Sequence, residues 1–237
     1  MRELKEDELN YKNAAVAAWI VVLYTICSLF FTIILINIMS QNGFIDTEAL
    51  LKDPKVVFYS VLVISPMSTL MALTLYKKNR KFSDVLIFNS SINWKQLLKA
   101  FGCSLIPLIT SIIVGLFIKN KTVSNETTES ILSMSIYAKI LTAVLVAPVA
   151  EEIVFRGMIF DAFKKDTKTW AYPIMSGLMF GLMHAQPGGV LEVLVPVIVT
   201  GVAGMTWARL YQKEQNLYLT MFAHMMYNGI VVLISIV

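Results

Sequence analysis

Histidine and cysteine are almost missing from this chain, with two of each among 237 residues. The cysteines, Cys27 and Cys103, lie far apart inside apolar runs. That excludes a CxxC redox or zinc motif and a disulfide framework, and reads as two small buried apolar side chains. The HExxH signature of soluble zinc peptidases is also missing. Charge is scarce: 15% of residues are Asp, Glu, Lys or Arg and 57% are apolar, against roughly 25% and 45–50% in soluble domains. No internal repeat, low-complexity tract or basic block marks a nucleic-acid partner, and loop lysines account for the net charge of +4.

What replaces charge is apolar length, with a mean hydropathy of +0.67. Apolar runs occupy 14–38, 56–76, 99–118, 136–163, 170–185, 191–211 and 217–236. Most approach the ~20 residues that cross ~30 Å of hydrocarbon; the fifth is short and the fourth long. Inside a bilayer each backbone donor and acceptor must be satisfied within its own segment, so these runs should be helices. The expectation is an all-α polytopic transmembrane helical bundle of about seven spans, forming a single membrane domain over 1–237. The first run reads as a retained helix rather than a signal peptide. Arg2 and Lys5 are mixed with Glu3, Glu6, Asp7 and Glu8 before it, and no Ala-x-Ala site closes it.

Orientation follows from the basic residues. With a cytoplasmic N-terminus, the inner side carries Arg2, Lys5, Lys12, Lys77, Lys78, Arg80, Lys81, Lys95, Lys99, Lys164, Lys165, Lys168, Arg209 and Lys213. The outer side carries Lys52, Lys55, Lys119, Lys121 and Lys139, a positive-inside bias. Residues 82–98 mix apolar and polar side chains and suggest an interfacial piece, while 119–135 form a polar outer loop.

Against this background the informative residues are polar groups within the apolar runs. Glu151, Glu152 and Arg156 lie in the fourth run, His184 in the fifth, and His224 and Asn228 in the seventh. Ionisable side chains in such positions cost roughly 2.5–3.5 kcal/mol each on insertion scales. At ~1.5 Å per residue, Glu151 lies about 20 Å from Lys164, His184 about 24 Å from Lys168, His224 about 16 Å and Asn228 about 22 Å from Lys213. Three helices therefore place polar groups in one slab of the membrane.

His224 and Asn228 stand at i and i+4, as do Phe180 and His184, and as do Glu152 and Arg156 with the Glu N-terminal. Glu151 is turned ~100° from Glu152. The expectation is a brace between Glu152 and Arg156, with Glu151 left to face a cavity. Pro148 should kink or open this helix. Gly157, Gly177, Gly181, Gly201 and Gly204 would let helices approach closely.

A buried carboxylate beside imidazoles and a carboxamide suits general-base hydrolysis of a carbonyl compound, most simply a peptide bond. Two histidines and a carboxylate are also a ligand set for a divalent metal such as zinc, here through His184 and His224. Two other classes keep the same residues. A proton-coupled transporter predicts paired broken helices in related halves, whereas this chain has one proline break and no repeat. A non-catalytic membrane adaptor would bind peptides without cleaving them.

Glu151-Glu152-x-x-x-Arg156, Phe180-x-x-x-His184 and His224-x-x-x-Asn228, in that order on separate runs, resemble the motifs of the CAAX proteases and bacteriocin-processing enzymes. This intramembrane protease family includes the eukaryotic type 2 CAAX prenyl endopeptidase, and the resemblance covers a core of about 136–230. It implies a bacterial cell-membrane endopeptidase acting on a membrane-associated peptide or protein within the lipid bilayer. By position, Glu151 resembles the base that activates water. His184, His224 and Asn228 resemble the groups that position water and stabilise the oxyanion, with Glu152, Arg156 and Phe180 supporting. The family is described both as metal-dependent and as metal-free. Members of this size are associated with bacteriocin immunity and peptide maturation.

Overall fold

The computed structural model describes residues 2–41, 53–118, 133–163, 165–185 and 188–235, with side chains from residue 11 onward. Most of the polar outer loop, together with Lys52, Lys119, Lys121, Lys164 and the side chains of Arg2 and Lys5, lies outside that set. Among the described residues all regular structure is helical, in rods that follow the apolar runs. They are α1 (Arg2–Ser40), α2 (Pro54–Lys77), α3 (Trp94–Ile118), α4 (136–162), α5 (Ala171–Met183), α6 (Val190–Glu214) and α7 (Leu217–Ile234). Five of them, α1, α2, α3, α6 and α7, are long and apolar enough to cross a membrane. Large apolar side chains also point outward along them, such as Phe30 and Ile33 on α1 and Ile112, Leu116 and Phe117 on α3. The protein is an integral membrane protein, an all-α polytopic bundle.

Proline shapes two of the rods. In α2 a π-helical stretch, Ser60–Ile64, ends just before Ser65-Pro66; in α4 another, Ile140–Val146, ends just before Ala147-Pro148. In an α-helix the proline ring would strike the carbonyl four residues back and leave it without a donor. Widening the preceding turn relieves that clash. The register is visible in Ala147 N–H donating to Thr142 O, five residues back. The expected opening at Pro148 is therefore a π-turn. A third π-stretch, Ile153–Met158, follows Glu152 directly.

α5 has 13 residues, about 20 Å of helix, too short to span ~30 Å of hydrocarbon. It lies against α6 along a glycine seam. A Cβ added at Gly177 would stand 2.7 Å from Gly201 O, and one at Gly181 would stand 2.6 Å from Val197 O. The α6–α7 turn is made by Gln215 in the left-handed region (φ 50°) and by Asn216, whose side chain accepts from Tyr218 N–H.

Of residues 82–98, expected at an interface, 82–93 form a strap across one end of the bundle and 94–98 open α3. Val85 and Leu86 are buried under it. Ile87 N–H donates to Tyr211 Oη at 3.1 Å, and Leu217 N–H donates to Ile87 O at 2.9 Å. Asn89 and Asn216 exchange side-chain and backbone bonds. The same end holds Tyr76 and Arg80 on Asp161, each at 2.8 Å, and Gln212 donating to the carbonyls of Asp166 and Thr169.

Candidate active site

α4 supplies the two acids on different faces. Glu152 is fully buried, while the Glu151 side chain keeps 22% of its exposure. Arg156, one turn on, is also fully buried, with Nη1 3.2 Å from Glu152 Oε1. That contact is an ion pair without hydrogen-bond geometry, since Arg156 Nε, Nη1 and Nη2 have no hydrogen-bond partner among the described residues. The guanidinium instead lies over two aromatic faces, 4.4 Å from the Phe180 ring centre and 5.2 Å from that of Trp207. A desolvated cation over aromatic rings is stabilised by about 2 kcal/mol.

His224, on α7, reaches between the acids. Its Nδ1 is 3.0 Å from Glu152 Oε1 and its Nε2 is 3.8 Å from Glu151 Oε2. The expected brace is thus a group of three, in which one oxygen of Glu152 faces both Arg156 and His224. A carboxylate can only accept, so Nδ1 is the donor. Nε2 then faces Glu151. The 3.8 Å separation is longer than a direct hydrogen bond. Trp207 stacks on the imidazole at 4.2 Å and 27° and holds its plane.

α5 ends at His184, which serves as its C-terminal cap. The ring's Nδ1 is 2.8 Å from Phe180 O, one turn back, so this histidine also keeps Nε2 outward. Phe180 touches both imidazoles, at 4.5 Å from the His184 ring centre and 5.8 Å from that of His224. It packs on Phe155 and Trp207 as well. Expected as support, it is the hub on which both histidines and Arg156 rest.

Asn228 donates from Nδ2 to Ala143 O at 2.7 Å. The bond follows from Pro148. In the π-register the carbonyl of Ala143 would meet the N–H of residue 148, and proline has none. The carboxamide of α7 supplies the missing donor. The third π-stretch is met in the same way from α5, by Ser176 Oγ on Phe155 O at 2.6 Å and Tyr172 Oη on Arg156 O at 3.3 Å. The opened backbone of α4 is closed by side chains of its neighbours.

Both histidines have the tautomer of a metal ligand, with Nδ1 tied and Nε2 free. Among the described residues no group of three or more His, Cys, Asp and Glu side chains is arranged to hold a metal ion.

A family model described as type II CAAX prenyl endopeptidase Rce1-like matches residues 133–230. That segment of the chain is similar to this family. The segment holds Glu151, Glu152, Arg156, Phe180, His184, His224 and Asn228, and leaves α1–α3 outside. YdiL of Bacillus subtilis strain 168, named as a candidate membrane peptidase, is 30% identical over 114 residues, 47% of this chain and 44% of that protein. YvdC of Lactococcus lactis is 26% identical over 77% of this chain and 66% of its own length. YyaK of Bacillus subtilis is 25% identical over 82% and 67%. The matches span about half to two thirds of the length of these relatives. No solved structure matches the chain.

Trp207 is the site residue that sequence reasoning passed over. Its signal was local: it follows Gly204 by three positions and Ala203 by four, on a face of α6 lined with small residues. Such a face packs closely enough to drive an aromatic ring inward.

Proposed function

We propose that the protein is an intramembrane endopeptidase that hydrolyses a peptide bond of a membrane-associated peptide or protein, with water activated by Glu151. The observation that carries this reading is His224 held between a sealed acid and an accessible one. Glu152 orients the ring from behind; Glu151 and Nε2 share the space in front. A water held there loses a proton to Glu151 as its oxygen attacks the carbonyl carbon. The same proton then passes to the leaving amine nitrogen when the C–N bond breaks. The second N–H of Asn228 supplies a donor to the developing oxyanion, and His184, with Nδ1 tied to Phe180 O, holds the attacking water through Nε2. Glu152 and Arg156 hold the site together and take no part in proton transfer.

The reading is tested by comparing the peptides that accumulate in membranes of cells carrying the wild type and Glu151→Gln. Peptides present as products only with the wild type, and reproduced by the purified protein, would support it and name the substrate. Identical peptide profiles together with a Glu151-dependent proton flux in vesicles would favour a transporter. Cleavage that resists chelators is expected; loss of cleavage restored by added zinc would return a metal to the site. A role in bacteriocin immunity or peptide maturation is the corresponding physiological proposal, and the same profile decides it.

A further inference from the structure

A second feature lies away from the acids, toward the last turns of α6. A cavity of about 520 Å3 opens between α3 and the last turns of α6, within the 300–1,000 Å3 usual for ligand sites. Its rim carries Lys99, Arg209 and Lys213 against one carboxylate, Glu214. Its walls are mostly apolar, with Ile106, Met205 and Leu210 leading down from the charges. Gly102 keeps one wall open, since a Cβ there would meet nothing within 4 Å.

The charges are unevenly matched. Lys99 is paired with Glu214 at 2.8 Å. The Arg209 guanidinium lies 4.6 Å from the Trp170 ring centre with Nη1 on Gln212, and its buried Nε has no hydrogen-bond partner among the described residues. Asp166 feels Arg209 from behind: burial pushes that carboxyl up, but bonds from Thr169, Lys168 N–H and Thr169 N–H, with the Arg209 charge, bring it below its ordinary value. Lys213 is exposed and its charge also reaches Glu214, so three cations share that one carboxylate at the rim.

The surroundings indicate what such a cavity takes. The apolar wall continues onto the outward face of α3, where Ile106, Ile109 and Ile113 are exposed. Trp94 and Trp170 are exposed at the same end, as aromatic side chains are at headgroup level. A site cationic at its rim and apolar below matches an amphiphile with an anionic head. We infer that this cavity binds an anionic phospholipid, the phosphate between Lys213 and Arg209 and an acyl chain along Gly102, Ile106 and Met205. The occupied site braces the segment of α6 that carries Trp207. This inference is independent of the proposed protease activity.

The test uses the full-length protein in neutral detergent, titrated with phosphatidylglycerol or phosphatidylcholine of the same acyl chains, with thermal unfolding and native mass spectrometry as readouts. Phosphatidylglycerol is expected to raise the midpoint by several degrees more than phosphatidylcholine and to remain bound in the spectrometer. Lys213→Gln should weaken that preference several-fold, and Gly102→Leu, which fills the groove, should remove bound lipid of either kind. Lys55→Gln, at the other end of the bundle, should leave the preference intact. Equal shifts with both lipids, or an undiminished preference in Lys213→Gln and Gly102→Leu, would overturn the inference. An equal shift with inorganic phosphate alone would also overturn it, by assigning the site to a free anion.

Discussion

Two parts of this bundle hold opposite charges together in opposite ways. At the strap end, Lys99 meets Glu214 and Arg80 meets Asp161, with 62% and 43% of the basic side chains exposed. Around α4, Glu152 and Arg156 meet with no exposure at all, walled by Phe155, Phe180 and Trp207. Exposed pairs are screened by water and contribute about 0–1 kcal/mol. A sealed pair is held against a large desolvation penalty, and removing one partner leaves a bare charge in an apolar wall. The inner cluster is therefore costly to build, and its output is the fixed orientation of His224 toward Glu151. The outer pairs tie loops; the inner one aims a side chain.

The comparison breaks most visibly at Glu151. Glu151→Gln should lower peptide cleavage by about 10²–10⁴-fold while leaving the melting temperature unchanged, because this acid holds nothing in place. Retained cleavage by the purified, folded variant would remove its assignment as base. Glu152→Ala should instead destabilise the protein by about 3–5 kcal/mol, and by more than Glu151→Ala in the same detergent, since it strands Arg156 and unties His224. Equal melting temperatures for these two variants would sink the brace. Trp207→Phe keeps a ring over Arg156 but weakens the stack on His224, so a loss of about 0.5–1.5 kcal/mol, up to roughly tenfold in kcat, is expected with little change in KM. At the other extreme, Lys99→Ala should shift stability by less than about 1 kcal/mol; a drop as large as that of Glu152→Ala would erase the distinction between the two regions.

Much of the architecture was legible because lipid imposes simple rules. Apolar length and backbone satisfaction are local properties, so the rods follow the runs closely. The i and i+4 spacings were equally local, and Glu152–Arg156 and Phe180–His184 are contacts within a helix. Less could be read where a neighbour decides. Residues 82–98 look interfacial by composition, yet they are strapped down through Tyr211 and Asn216, both distant in sequence. Pro148 announced a distortion; that it became a π-turn whose spare carbonyl is taken by Asn228 depends on α7 lying alongside.

By itself the sequence determined an all-helical membrane chain and the placement of its few acids, imidazoles and glycines at workable depths, because hydropathy and helical period are written along a single strand. Only the tertiary structure decided that one imidazole is shared between two adjacent acids and stacked on Trp207. Such a contact depends on the rotation and separation of packed helices, which are settled by side chains from all of them at once.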